Sequence, residues 1–592
     1  MLKASGSAAV LLLMPGKLPA STSFARRRPG DALWPSKAAW KRLNSEVGGN
    51  LIPVTFPLDA CKARSESAEC AELFKNLRNP YYIGDTAGLT QTLGWTDAWT
   101  TKPSIYAVRA RNAADIAAAV SFARENDLRL VVKGGGHSYL GTSNAPDSLL
   151  VWTRAMNEIE VLDSFVPSNC STPPRRAVTL GSGTIWLHAY DAVTTQGGGY
   201  VQGGGCATVG CAGLIQSGGF GSFSKHYGSA ASGLLEAEVV TADGSVRVAN
   251  ACTNPDLFWA LKGGGGGTFG IISRLTLRVR ELPEFFGGTA FTVKASSDAA
   301  YRRLLRRFVS FYAESLFNDH WGESVVFAPS NRLRVSMVSY GLSQDGARAA
   351  WKPFLDFVAS SPRDYTQEFD PIILCGPARH WWDADFLHKF VPGAIVLDPR
   401  PGAHAGDFWW SGDGGQAGQV LHGYESLWLP ASLLRADAQA QLADAFFTAS
   451  RPWGFALHFN KGLAGAQPDA IAAALDTATN PAVTTAFALA ISAGEEPPAY
   501  PGIPGHEPDV AAGRAASAAI HRGMNVLRTL TPDDGSYVSE SNFFQDNWQR
   551  SYWGSNYSRL AAIKKRYDPT GLFVVHNGVG SEEWSADGFS RA

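Results

Sequence analysis

The chain has 592 residues, 45% of them hydrophobic and 18% charged, enough to bury more than one core and unlike a disordered or fibrous composition. Its 52 basic and 53 acidic side chains leave a formal net charge of −1, so no global basic field exists to hold nucleic acid or an anionic membrane. The 18 Trp, 17 Tyr and 31 Phe serve first to fill cores, although such aromatic surface also lines sites for flat cofactors and sugars.

In chain order, Lys3, the apolar run AAVLLLM (8–14) and SFA (23–25), a small-x-small cleavage point, read as a candidate secretory signal within residues 1–30, pointing to a secreted or periplasmic protein. The run is too short to span a bilayer, and no other segment is long and apolar enough. Of seven cysteines, Cys61 and Cys70 flank a short polar stretch suited to a disulfide-closed loop in an exported protein. The pairing of Cys170, Cys211, Cys252 and Cys375 stays open. No CxxC occurs and no cysteine has a histidine at ligand spacing, which argues against a structural metal site.

Residues 31–100 are rich in Pro, Trp and polar side chains, with few clear periodic elements. NAADIAAAVSFAREND (112–127) predicts a helix capped by Asn112, with Ile116, Val120 and Ala123 on one face. LRLVV (128–132) follows as a strand and opens into the glycine turn KGGGHSYLGTS (133–143). RAVTLGSGTIWLHAYDAVTTQ (176–196) predicts strand, turn and helix. The glycine density of 197–228 forbids a regular element throughout that stretch. LLEAEVVTADGSVRVAN turns as a hairpin at Asp243-Gly244, a short helix begins after Pro255, a five-glycine loop follows, and IISRLTLRVR alternates as a half-buried strand. From about 286 the glycine clusters thin out. Helical stretches such as 298–316 then alternate with strand-like runs such as 332–340, and this composition shift marks a domain boundary.

Three glycine loops tied to strand ends provide three places for backbone to approach a ligand closely, and their N–H groups make a cradle for a diphosphate. None of them is GxGxxG between a first strand and its helix with an acidic residue about 20 positions later, so the Rossmann fingerprint is excluded.

In this order, VVKGGGHSYLG, GGGCATVG, SGGFGSFSKHYG, NPDLFWALKGGGGGTFG and GSNYSRLAAIKKRYDPTGLF resemble the vanillyl alcohol oxidase superfamily, specifically its berberine bridge enzyme-like branch. LWPSKAAWKRLNSEVGGNLIPV, YVSE and VGSEEW are closest to secreted isoamyl alcohol oxidase-like FAD-linked enzymes. The likeness runs from about 33 to 589. It implies a two-domain α+β fold of the PCMH type. Residues 31–285 would form the FAD-binding domain, with its core at about 99–283. Residues 286–515 would form a substrate domain with an antiparallel sheet covered by helices, and 516–592 a C-terminal segment completing the FAD domain.

The resemblance also implies roles. His137 would be bonded to the 8α-methyl carbon of FAD and Cys206 to its C6, giving a bicovalently attached flavin. Gly134, Gly135, Gly136, Ser138, Gly141, Thr208, Val209, Gly210 and Asn577 would contact the cofactor. In related enzymes, valine at the position of Val209 goes with oxidase behaviour, which makes O2 the expected acceptor. The expected reaction takes a hydroxyl proton from a small alcohol, sugar or secondary metabolite by a general base, passes hydride to flavin N5, and reduces O2 to H2O2. Plant members carry the base in YLNY, which here reads Tyr537-Val538-Ser539-Glu540. Glu540 in an apolar pocket, with a raised pKa, is the first candidate base and Tyr537 the second; the bland alternative pairs Glu540 with a Lys or Arg. His226 and His576 are weaker candidates, and Asn556-Tyr557 is expected to cap and pack the last helix. The rival readings are a flavin dehydrogenase with a non-O2 acceptor, an amine-oxidising or ring-closing relative, and a secreted flavin-containing binding protein without turnover. A hydrolase is disfavoured because neither GxSxG nor HExxH is present.

Overall fold

The computed structural model describes residues 24–532 and 535–591. The apolar run of the candidate signal lies outside them.

Residues 31–100 hold more regular structure than their sequence suggests. Helices Lys37–Glu46, Asp59–Ala63, Ala68–Asn76 and Pro80–Gly84 follow one another there. Each has at most ten residues, too short for a periodic pattern to stand out, and three of them are fixed by the side-chain caps Ser36, Ser67 and Asn79. The helix expected after residue 112 spans Ala113–Glu125, with the Asn112 side chain accepting from the Asp115 amide. Its buried face, including Ile116, Val120 and Ala123, packs against a four-stranded sheet. In that sheet Tyr106–Arg109, Ser148–Trp152 and Arg129–Lys133 run parallel, and Leu51–Pro53 is antiparallel to the first of them.

A second, antiparallel sheet orders Val246–Asn250, Leu234–Val240, Ile271–Glu281, Arg175–Gly181 and Ile159–Phe165, with Gly199–Val201 also paired to Ile271–Glu281. The hairpin at Asp243-Gly244 is as expected, Gly244 taking a φ of +81°.

The third sheet has ten strands. Phe285–Ala295, Arg332–Tyr340, Trp321–Ala328, Phe455–His458, Ala486–Glu496 and Gln419–Pro430 form its antiparallel centre. Helices Asp298–Phe311, Gln344–Ala359, Gln439–Ala449 and Val510–Arg528 cover one face, closing a core of Phe, Leu and Trp side chains such as Phe308, Trp351 and Phe446. Thr92–Trp95, from the N-terminal part of the chain, adds in parallel to Gln419–Pro430 and ties that part of the chain to this sheet. The architecture is thus α+β, with the uncovered face of the large sheet turned toward the glycine loops.

Disulfides join Cys61 to Cys70 and Cys170 to Cys252; Cys206, Cys211 and Cys375 are free thiols.

Candidate active site

The glycine loops meet around one cavity of about 720 Å³. Strand Arg129–Lys133 runs out into Gly134–Gly136, and a Cβ on Gly135 would lie 2.8 Å from the Gly210 amide nitrogen, while one on Gly210 would lie 3.0 Å from that of Gly135. The two loops therefore touch backbone to backbone, a contact only paired glycines permit. It brings His137 Nε2 to 3.1 Å from Thr208 Oγ1, two residues beyond Cys206. His137 and Cys206 both line the cavity, as do Gly134, Gly135, Gly136, Ser138, Val209, Gly210, Tyr537, Glu540, His576 and Asn577. Thr208 lies behind the wall, buried, holding the His137 ring. Gly141 also stands back from the cavity; its φ is +71°, and a Cβ there would strike the Trp99 indole at 2.6 Å.

Each glycine loop is moored by a buried lysine. Lys133 Nζ donates to the carbonyls of Thr86 (3.1 Å), Leu89 (2.8 Å) and Ala87. Lys225 Nζ donates to those of Gly462 (2.8 Å), Ala464 (2.7 Å) and Phe487 (3.2 Å). Lys564 Nζ reaches Thr268 O (2.7 Å), Phe573 O (2.6 Å) and the Asp568 carboxylate (2.7 Å). Burial pulls the Lys133 and Lys225 ammonium groups down to about 7.

The residues present fit an FAD. The backbone N–H groups of 135–138 donate to no described atom, which suits a pyrophosphate cradle. In the cavity wall the buried Gln216 Oε1 and Thr268 Oγ1 also lack partners. Burial pushes His137 down to about 4, so its imidazole is neutral at physiological pH with a nitrogen lone pair to offer. The Cys206 thiol is pushed well up, first by burial and then by Asp413. Its Sγ lies 3.9 Å from Gln416 Oε1, and Gln416 Nε2 bonds Asp413 Oδ1 at 3.2 Å. Burial also raises Asp413 to about 6.

The proton-handling candidates separate clearly. Glu540 does not stand in an apolar pocket: Lys461 Nζ bonds both its oxygens, at 2.6 and 2.5 Å, with only 11% and 20% of the two side chains exposed. Tyr537 is buried against Phe220, its hydroxyl accepting from the Gly219 amide at 3.3 Å, and burial, then Glu540, raises it far above the usual phenol range. His226 is held by Asp319 at 2.8 Å and stacks on Tyr340, away from the cavity wall. His576 stacks on Phe543 and bonds its carbonyl at 2.8 Å, and Asn577, at φ +51°, bonds the same carbonyl at 3.2 Å. Asn556 precedes the helix Tyr557–Tyr567, but its side chain donates to Thr479 O rather than capping.

Several lining residues lay outside the sequence reading: Lys461, Glu323, Asp413, His458, Asn460 and the paired rings of Tyr139 and Tyr424, 5.1 Å apart. All but Tyr139 come from the strands and loops between residues 323 and 461, where the available signal was a charged or amide residue at the end of an apolar run, as in FALHFNK. On the flank of the site, ligand-type atoms of His188, His404 and Asp407 lie within 4.8 Å of one another; His188 Nε2 meets Asp407 Oδ1 at 2.7 Å and fastens the hairpin leading to Trp410.

A family model described as FAD binding domain matches residues 104–250, and one described as berberine and berberine like matches 536–580. A VAO-type flavoprotein oxidase of Thermothelomyces thermophilus is 30% identical over 600 residues, covering 95% of this chain and 94% of its own. An FAD-linked oxidoreductase of Gibberella zeae is 28% identical over 580 residues, covering 94% and 93%. A solved VAO-type flavoprotein from Myceliophthora thermophila superposes with a TM-score of 0.78 at 27% identity, covering 96% of this chain and all of that one. Glucooligosaccharide oxidase from Acremonium strictum, described with a 6-S-cysteinyl, 8α-N1-histidyl FAD, superposes at 0.60 with 20% identity, covering 89% and 99%. With the ordered glycine loops and the two family models, the chain belongs to the VAO-type flavoprotein family, in its berberine-like branch, and is an FAD-linked oxidoreductase.

Proposed function

We propose that the protein is a secreted oxidase that carries FAD attached through both His137 and Cys206 and converts an alcohol to a carbonyl compound, with O2 reduced to H2O2. One observation carries this reading: His137 and Cys206 line a single cavity from two loops that lock together at Gly135 and Gly210. FAD bound there would supply the acceptor for the hydride and pass both electrons to O2. His137, neutral and held by Thr208, and the Cys206 thiol beside Gln416 would hold it, while the N–H groups of 135–138 would take its phosphates.

The chain's own chemistry is the proton. Glu540 faces the cavity, and Lys461 fixes its carboxylate through both oxygens, so the group is aimed rather than free to rotate. It accepts the hydroxyl proton of the substrate. Tyr537 cannot readily become the base, since its phenol is buried, spends its oxygen on the Gly219 amide and is held protonated. Val209, half-buried, lines the cavity wall, at the position where the resemblance associates valine with O2 as acceptor. The disulfides Cys61–Cys70 and Cys170–Cys252 support an oxidising compartment.

The test is mass spectrometry of tryptic peptides after acid denaturation, followed by an H2O2-release screen. A single FAD mass joining the peptides of His137 and Cys206 is expected. Flavin released to the supernatant would refute the double attachment, and slow reoxidation in air would move the enzyme to the dehydrogenases.

A further inference from the structure

Glu323 occupies a place that its strand does not naturally offer. In Trp321–Ala328 the side chains of Trp321, Val325 and Phe327 enter the core under the helices, and Leu333, Val335 and Met337 of the neighbouring strand do the same. Ser324 and its cross-strand partner Ser336 line the cavity on the opposite face, as does Val338, the partner of Gly322. Successive side chains of a strand alternate between faces, so Glu323, opposite Met337, belongs on the core side. Its carboxyl lines the cavity instead, next to Ser324, because its backbone sits at φ +63°. Only glycine, and less often Asn or Asp, visits that region at low cost. Strain of this kind persists where the surroundings enforce it and gathers at functional sites.

The surroundings do enforce it. A Cβ on Gly322 would lie 1.9 Å from Ser222 O, so the glycine lets the second cofactor loop lie directly on the strand. From that loop Ser222 Oγ donates to Glu323 Oε1 at 2.5 Å, and Asn460 Nδ2 reaches the same oxygen at 3.5 Å. Glu323 Oε2 has no partner among the described residues, and no cation lies within ion-pair distance of the carboxyl. A Cβ on Gly205 would come within 3.6 Å of Oε1, which puts the carboxyl beside the loop of Cys206. One oxygen is thus spent on orienting the group and the other is left for something in the cavity.

We propose that Glu323 is a substrate-anchoring residue whose Oε2 accepts a hydrogen bond from a second hydroxyl of the substrate, remote from the carbon being oxidised. The site then selects polyhydroxylated substrates over their mono-alcohol counterparts. This rests on reading the cavity as an alcohol-oxidising site, and the test keeps the two apart.

The probes are hexane-1,6-diol and hexan-1-ol, which differ by one hydroxyl on a chain flexible enough to reach. H2O2 release gives the ratio of kcat/KM for the pair on the flavin-loaded enzyme. Quenching of the cavity tryptophans Trp381 and Trp410 gives the ratio of Kd independently of turnover. For a hydrogen bond to a charged group, a preference for the diol of about tenfold or more is expected in both ratios. Glu323→Gly, which relieves the strained backbone, should bring both ratios to about one with flavin content and Tm no lower than wild type. Glu323→Gln, which keeps an acceptor oxygen, should retain part of the preference. A wild type that does not distinguish the probes, a preference that survives Glu323→Gly, or a loss that merely follows flavin content in both variants would each overturn the proposal. Binding preference without H2O2 would leave Glu323 as the anchor and overturn the oxidase reading instead.

Discussion

Lys133→Met separates the mooring of the first glycine loop from its chemistry. The substitution keeps an apolar stem but leaves the carbonyls of Thr86, Ala87 and Leu89 without their donor. Bonds from a charged donor contribute roughly 1.5–3 kcal/mol each. Against them, the fall of Lys133 from 10.5 to about 7 on burial corresponds to a cost of about 5 kcal/mol for keeping it charged, at about 1.4 kcal/mol per pH unit. The net destabilisation expected is about 2 kcal/mol. Because the Gln91 amide donates to Gly136 O at 3.0 Å, loosening residues 86–91 reaches the His137 loop directly, and flavin content should fall as well. Urea unfolding and the flavin-to-protein absorbance ratio measure the two effects. The pH dependence has a definite sign. Below about 7 the lysine is protonated in both states and the burial cost is present in full. Between about 7 and 10.5 the unfolded chain holds a proton that the folded chain has released, so wild-type stability rises relative to the variant across that window. A variant with wild-type stability and flavin content, or a stability difference flat from pH 7 to 10, would refute the reasoning.

Gly210→Ala should cost about 1–3 kcal/mol and lower flavin incorporation, since its Cβ meets the Gly135 backbone rather than a yielding side chain; absorbance at the flavin band against 280 nm reads it. Glu540→Gln should lower kcat by about 10²-fold or more while Tyr537→Phe stays within about tenfold, and steady-state H2O2 release decides between the two residues. Replacing Cys170 and Cys252 by serine opens a crosslink with a sequence separation of 82 and should cost about 4 kcal/mol. Opening Cys61–Cys70, with a separation of 9, should cost less than about 3 kcal/mol, the two being compared by denaturant midpoint.

The region matched by the FAD binding domain model, residues 104–250, was legible in the sequence because its features are local. A cap at Asn112, a turn at Asp243-Gly244 and glycines that must take positive φ all announce themselves within a few residues. The ten-stranded sheet combines hairpins with pairings between strands far apart in sequence, such as Trp321–Ala328 with Phe455–His458, and its site residues carry no local mark. Glu540 was found by its place in a C-terminal motif, but its partner Lys461 lies 79 residues earlier, and only the fold brings them together. Glu323 was illegible for a stronger reason. Alternation along HWGESVVFA assigns it to the wrong face, and the backbone torsion that reverses the assignment is imposed by a third segment packing on Gly322.

The buried lysines show why glycine loops such as these need help from elsewhere in the chain. A loop of glycines has no side chains with which to hold itself, and when its N–H groups face a ligand they cannot also secure the fold. Lys133 and Lys225 each stand in or beside a glycine-rich loop and donate to backbone carbonyls of other segments, while Lys564 reaches back from the last helix to the carbonyl of Thr268, at the end of the third run. An ammonium group is suited to this because its three donors can satisfy several carbonyls that no regular element would pair. Each loop is thereby fixed from behind, leaving its front free for the cofactor. A lysine placed directly against a glycine run, as in VVKGGGH, is therefore as much a part of the binding motif as the glycines themselves.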